Sequence, residues 1–374
     1  MADRLRIAVV GAGGIAEVRH LPAISALDAL ELVAVCDVDR ERLAAFAARN
    51  AIEDDQAYLD VAEMLERAKP DLVAVCTPPH THAPLAEQIL RSGAWAYVEK
   101  PPCASLAELD EIAAVEQETG QRCTFVFQMR FGSGAGHLRR LIAAGALGRP
   151  LVALCQTMWY RDADYYAVPW RGTWASEVGG PTVGHGIHSI DLLLHLLGEW
   201  AEVVSLVDRL DLPVETEDVS FALVRFASGA RASIVTSVLS PRQETYLRLD
   251  FTEATVELRH LYDYSNADWR FTARPGSASA LTSTWEDFPG DEPSSHRTQL
   301  AAIAGARTSG AEPPTGVAAV RPTMELLTAI YRSARTGRPV RRGDIRPGNP
   351  HYRSLSGGSP WDVRAGHDVE AAGA

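Results

Sequence analysis

The stretch Leu5-Arg6-Ile7-Ala8-Val9-Val10-Gly11-Ala12-Gly13-Gly14-Ile15-Ala16 decides the fold. Its first six residues are mostly apolar, with no regular polar alternation, as in a strand buried on both faces of a parallel sheet. The run passes directly into G-x-G-x-x-A and then into a segment, Ile15 to Leu27, whose pattern predicts a helix. In such a turn the first glycine permits the tight bend. The second lets a pyrophosphate approach the backbone at a helix N-terminus, and the small final residue allows close helix–strand packing. Gly11, Gly13, Gly14 and Ile15 are therefore assigned to a dinucleotide. Asp37 closes the next apolar run, 21 residues after Ala16. A carboxylate there accepts hydrogen bonds from a ribose 2′-OH and repels a 2′-phosphate, so NAD is expected; Arg40 keeps NADP possible.

Outward from this stretch the rhythm repeats. Leu32 to Cys36, Leu72 to Cys76, Ala94 to Val98 and Cys123 to Phe127 read as further buried strands. Helical patterns lie between them over Arg40 to Arg49, Val61 to Ala68, His82 to Ser92 and Leu106 to Gln117, the last opened by a Ser105/Glu108 capping box. Alternation of this kind predicts βαβ units in a doubly wound, Rossmann-type α/β domain over residues 1–130. Ligands of such sheets sit at the carboxyl ends of strands. Two loops there carry polar chemistry. Thr77-Pro78-Pro79-His80-Thr81-His82 follows one strand, and Thr77, Pro78 and His82 are assigned to the cofactor. Glu99-Lys100-Pro101 follows another, and Glu99 and Lys100 join the set. A lysine so placed can hold developing negative charge on a reacting oxygen; a lysine before proline is otherwise an ordinary surface residue.

From about Phe131 the rhythm stops. After a helix over Gly136 to Ala144, strands are expected over Leu151 to Tyr160, Glu202 to Val207, Val219 to Phe226, Ala230 to Ser240 and Glu244 to Phe251. Residues 131–346 thus read as an α+β domain with a large, mostly antiparallel sheet, and residues 347–374 as a C-terminal tail. His188 lies at the start of an apolar helix, three residues before Asp191, where it could take a hydroxyl proton near neutral pH. Tyr166, Trp170 and Arg171 form an aromatic and polar cluster suited to a sugar-like ring, and His185 and Asp191 are candidate substrate contacts beside it.

Composition limits the alternatives. The 374 residues carry a net charge of −12, which opposes binding to nucleic acid or anionic membrane. Five widely spaced cysteines, never in C-x-x-C, fit reduced thiols and a cytoplasmic setting. No signal-peptide run follows Met1 to Arg6, and no apolar stretch is long enough to span a membrane. His80, His82, His185 and His188 lack the partners and spacing of a zinc site, so no metal is expected.

Gly11 to Ala16, Cys76 to His82 and Glu99-Lys100-Pro101 together resemble the Gfo/Idh/MocA oxidoreductases, which include glucose–fructose oxidoreductase and inositol dehydrogenase. The resemblance continues through Gln128 to Phe131, Gly145 to Pro150, Tyr166 to Trp174, Gly179 to Gly198 and Leu326 to Val340, covering about residues 4–343. It implies an NAD-dependent, metal-free dehydrogenase of sugars, cyclitols or related polyhydroxylated compounds, with Lys100 and His188 as the catalytic pair. It also implies a homodimer or homotetramer formed through the second domain's sheet. One departure stands out: members often carry an acid four residues before the histidine, where this chain has Gly184. Two alternatives stay open at this point, a redox-cycling NAD-dependent glycosidase and a non-catalytic regulator of the same fold.

Overall fold

Strand β1 (Leu5–Val10) is central in a six-stranded sheet with β2 (Leu30–Cys36), β3 (Ala57–Tyr58), β4 (Leu72–Val75), β5 (Trp95–Val98) and β6 (Cys123–Phe125). The order is β3-β2-β1-β4-β5-β6 and every pairing is parallel. Ile7, Ala8 and Val9 are fully buried, which is why β1 lacks polar alternation. Chain order reverses at β1, so the carboxyl ends of β1 and β4 form the switch point where such sheets take ligands. In this computed structural model, residues 4–276 and 280–358 are described.

The chain divides into two units, Met1–Phe127 with His296–Arg321, and Gln128–Ser295 with Pro322–Ala374. The sequence reading assigned all of 131–346 to the second domain, whereas the structure returns His296–Arg321 to the first unit. The helix His296–Ser309 buries Leu300, Ile303 and Ala304 among Ile7, Val9, Phe46 and Tyr97. Gln299 accepts the Phe127 N–H at 3.1 Å and donates to the Phe125 carbonyl at 2.7 Å. An apolar helical face announces that it will be buried, but not against which sheet. The expected helix over Ile15 to Leu27 is also different. It begins as a π-helical turn, Ala16–His20, and becomes α-helical over Leu21–Ser25. Pro22 has no N–H to give an i−4 carbonyl, so the regular ladder cannot run through this segment.

The second unit is built on β7 (Pro150–Tyr160), β8 (Trp200–Asp208), β9 (Val219–Phe226), β10 (Arg231–Ser237), β11 (Leu239–Phe251), β12 (Ala254–His260), β13 (Trp269–Ala273) and β14 (Val340–Arg341). These form one sheet in the order β13-β12-β11-β7-β10-β9-β8-β14, antiparallel except where β7 meets β10. The last three strands were not expected. Strand β14 is two residues long, and β12 and β13 carry charges on their outward side that dilute the apolar signal. The helix Ile187–Leu197 is buried almost all round, as Leu192, Leu193, Leu194 and Leu196 require. Within the expected tail, Pro350–Arg353 forms a helical turn with His351 buried; residues 359–374 lie outside the described residues.

Candidate active site

The glycine turn fits a dinucleotide. Gly11 has φ +99°, and a Cβ there would stand 2.8 Å from the carbonyl carbon and oxygen of Cys76, so both conformation and space require glycine. A Cβ on Gly13 or Gly14 would meet nothing within 4 Å, leaving an open side for a phosphate to approach the backbone. Ile15 packs its side chain against the core.

Asp37 is buried at the end of β2. Its carboxylate accepts from Ala12 N at 2.8 Å and Asp39 N at 2.9 Å, and takes a two-pronged contact from Arg42 at 2.9 and 2.7 Å. Burial alone would raise its pKa. The Arg42 guanidinium and the two backbone N–H groups outweigh burial and hold it below the usual carboxylate range. The basic residue at this acid is therefore Arg42, not Arg40.

The two polar loops are tied together by His82. Its Nδ1 lies 2.7 Å from the Pro101 carbonyl and its Nε2 lies 2.9 Å from the Thr77 carbonyl. Thr77 is further fixed by its hydroxyl contact to Thr81 at 2.6 Å, while Thr81 donates to the Pro78 carbonyl at 2.7 Å. Glu99 is buried too. Its Oε1 is shared by His20 Nε2 at 2.8 Å and His296 Nε2 at 3.3 Å, and its Oε2 accepts the Lys100 backbone N–H at 3.2 Å. Burial would raise the Glu99 pKa, but the two imidazoles hold it well below the ordinary range. Burial would lower His20, yet its Cys76 and Glu99 neighbours carry it up to about 10. The side chains of His82 and Glu99 thus brace the two loops, and half-buried Lys100 stands on the braced turn. Local pattern gave no sign of His20 or His296, whose partner Glu99 lies far away in the chain.

In the second unit a tight turn precedes His188. A Cβ on Gly180 would lie 1.9 Å from the Glu217 carbonyl oxygen. The fully buried Glu217 carboxylate receives Gly180 N at 2.9 Å, Thr182 N at 3.0 Å and the Tyr331 hydroxyl at 2.8 Å, fixing the approach to the helix Ile187–Leu197. His188 is buried, edge-on to the Tyr262 ring at 5.8 Å. His185 packs edge-on to Trp159 at 5.0 Å, and its Nε2 lies 3.2 Å from Arg161 Nε and 3.3 Å from the Tyr165 hydroxyl. Arg171 contacts the Tyr165 hydroxyl, stacks on the Tyr165 and Trp170 rings at 3.8 and 4.2 Å, and pairs with Glu177 at 3.2 Å. Tyr166 meets Tyr165 edge-on at 5.0 Å. Burial pushes both phenols up, so neither is a base near neutral pH. The carboxylate missing at Gly184 has a neighbour: Glu177 Oε1 lies 3.8 Å from where a Cβ of Gly184 would stand. Asp191 departs from expectation. It is fully buried, bound to Arg130 at 2.6 and 2.5 Å and to Thr323 at 2.8 Å, a structural ion pair in place of a substrate contact.

Residues 5–127 match the Gfo/Idh/MocA description "oxidoreductase family, NAD-binding Rossmann fold", and residues 136–257 match the GFO/IDH/MocA C-terminal domain. D-apiose dehydrogenase of Paraburkholderia graminis is 27% identical over 95% of this chain and 94% of its own length. Inositol 2-dehydrogenase 4 of Saccharopolyspora erythraea is 30% identical over 63% of this chain and 67% of its own. Among solved structures, the WlbA dehydrogenase from Bordetella pertussis, in complex with NADH and UDP-GlcNAcA, has a TM-score of 0.79 at 26% identity, covering 90% of this chain and 98% of that one.

Proposed function

Because the chain belongs to the Gfo/Idh/MocA family of NAD-binding oxidoreductases, we propose that it oxidises a secondary alcohol of a sugar, cyclitol or related polyhydroxylated compound. Lys100 and His188 act on the reacting hydroxyl. The observation that carries this reading is the position of Lys100 at the carboxyl edge of the sheet, on a turn braced by Glu99 and His82. NAD, when bound, supplies the hydride acceptor. Lys100 donates a hydrogen bond to the hydroxyl oxygen and stabilises the negative charge that grows on it. His188 takes the hydroxyl proton on a ring nitrogen. Tyr166, Trp170, Arg171 and His185 offer aromatic faces and polar groups to the ring and its hydroxyls. D-apiose and inositol dehydrogenases among the relatives support the substrate class.

The test is NADH formation by the full chain on a panel of neutral and acidic aldoses, cyclitols and glycosides. Accumulating NADH on at least one free polyol is expected. Glycoside cleavage without net NADH is the result of a redox-cycling hydrolase, and an inert chain that binds NAD is the result of a regulator; either overturns the proposal.

The proposal extends to self-association through the open face of the larger sheet. Val204, Leu206, Phe221 and Leu223 are 42%, 67%, 48% and 66% exposed there, and β8 and β9 pair Val204 with Leu223 and Leu206 with Phe221. Such a contiguous apolar patch suits a homodimer or homotetramer contact. All five cysteines are free and buried, in keeping with a cytoplasmic site of action. No helix among the described residues is long and apolar enough to cross a membrane.

A further inference from the structure

Arg161 is a guanidinium that no carboxylate answers among the described residues. It follows β7, half-buried, with its Cζ 4.9 Å from the centre of the Trp159 ring and 5.0 Å from that of Tyr165. Its Nε donates to His185 Nε2 at 3.2 Å, and its Nη1 donates to the Tyr160 carbonyl at 2.7 Å and reaches Gln243 Oε1 at 3.5 Å. Since arginine only donates, His185 Nε2 is an acceptor here and His185 is neutral. The other arginines of this region are matched, Arg171 by Glu177 and Arg130 by Asp191. Asp162, next in the chain, accepts the Tyr165 backbone N–H on its Oδ1 at 3.0 Å. Arg161 also shares a side-chain hydrogen bond with Tyr165, so its partners here are all uncharged. A positive charge drawn partly out of water without a counter-charge is costly, and the planar fork of arginine suits a carboxylate or phosphate.

We infer that Arg161 receives an anionic substituent of the substrate, a carboxylate or a phosphate, so that the substrates are acidic polyols. The inference rests on the reading of the second unit as the one that binds substrate, His185 lying three residues before His188. The Trp159 and Tyr165 rings lie against the guanidinium, and the incoming anion supplies the missing charge.

The experiment is calorimetric titration of the NADH-loaded full chain with D-glucuronate, D-glucose 6-phosphate and D-glucose, using wild type, Arg161→Gln and Arg161→Lys. Wild type is expected to bind at least one anion about tenfold or more tighter than glucose, since a charge-assisted contact is worth that much. Glucuronate ahead of the phosphate identifies a carboxylate, and the reverse order a phosphate. Arg161→Gln should remove the preference, and Arg161→Lys should keep part of it. Should Arg161→Gln fail to fold, the wild-type preference must still weaken as salt rises. A wild type that does not prefer either anion, a preference that survives in Arg161→Gln, or one indifferent to salt overturns the inference. Failure of the dehydrogenase reading is separate: it appears as anion binding intact with no NADH formed from NAD. Oxidation of neutral polyols without an anion preference removes the Arg161 inference alone.

Discussion

At the scale of single residues, we propose that Asp37 and Arg42 set the choice of cofactor. The two-pronged contact presents Asp37 as a charged carboxylate, which suits a ribose diol and opposes a 2′-phosphate. Asp37→Ser should weaken NAD and strengthen NADP, because it both removes the repulsion and releases the Arg42 guanidinium toward a phosphate. Adding Arg42→Ala should cancel the NADP gain, and fluorescence titration of both cofactors against wild type, the single variant and the double variant measures it. A wild type that prefers NADP contradicts this account. At the same scale, His188→Ala should lose ~10²–10⁴ in rate as a general base does. His185→Ala should lose less, because His185 accepts hydrogen bonds from Arg161 and Tyr165; kcat of the two variants on one substrate decides it. The glycine turn and the acid that closes β2 were legible in the sequence because both are local features, a turn and a carboxylate at fixed spacing. Arg42 was passed over for Arg40, since spacing does not say which of two neighbouring arginines turns inward. Asp191 was misread for the same reason: its partners Arg130 and Thr323 come from elsewhere in the chain.

At the scale of elements, the strand ends of the first unit are braced by the His20–Glu99–His296 cluster. The sign of its pH dependence follows from the two shifts. His20 is raised from 6.5 to about 10, so its contribution to stability is full below 6.5 and is lost as pH rises toward about 10. Glu99 is lowered from 4.5, so its contribution is full above 4.5 and is lost as pH falls through its folded value. The melting temperature of wild type should therefore exceed that of Glu99→Gln by most between pH 4.5 and 6.5, with the gap narrowing toward pH 10. A gap unchanged across that range contradicts a charged pair. Buried strands such as β4 and β5 could be read from apolar runs. The brace could not, because it joins a π-helical turn, a loop and a helix that returns from the far side of the second unit's sequence. The same return explains why a single division near residue 130 was the natural reading and why His296–Arg321 escaped it.

At the scale of the whole molecule, self-association and catalysis are tested separately. The double variant Leu206→Glu/Leu223→Glu should remain folded, since both side chains are largely exposed in the single chain, and should run as a monomer by light scattering where wild type runs as a dimer or tetramer. A monomeric wild type at micromolar concentration contradicts the assembly. The central claim is that Lys100 holds the reacting oxygen of a polyol alongside NAD, and it is tested most directly by comparing Lys100→Met with wild type in two readouts, NADH formation and NAD affinity. We predict that turnover falls by ~10²–10³, as for removal of a single electrostatic donor to a developing oxyanion, while NAD affinity stays nearly constant. A Lys100→Met chain that turns over at the wild-type rate, or that loses NAD binding in step with turnover, would contradict the account.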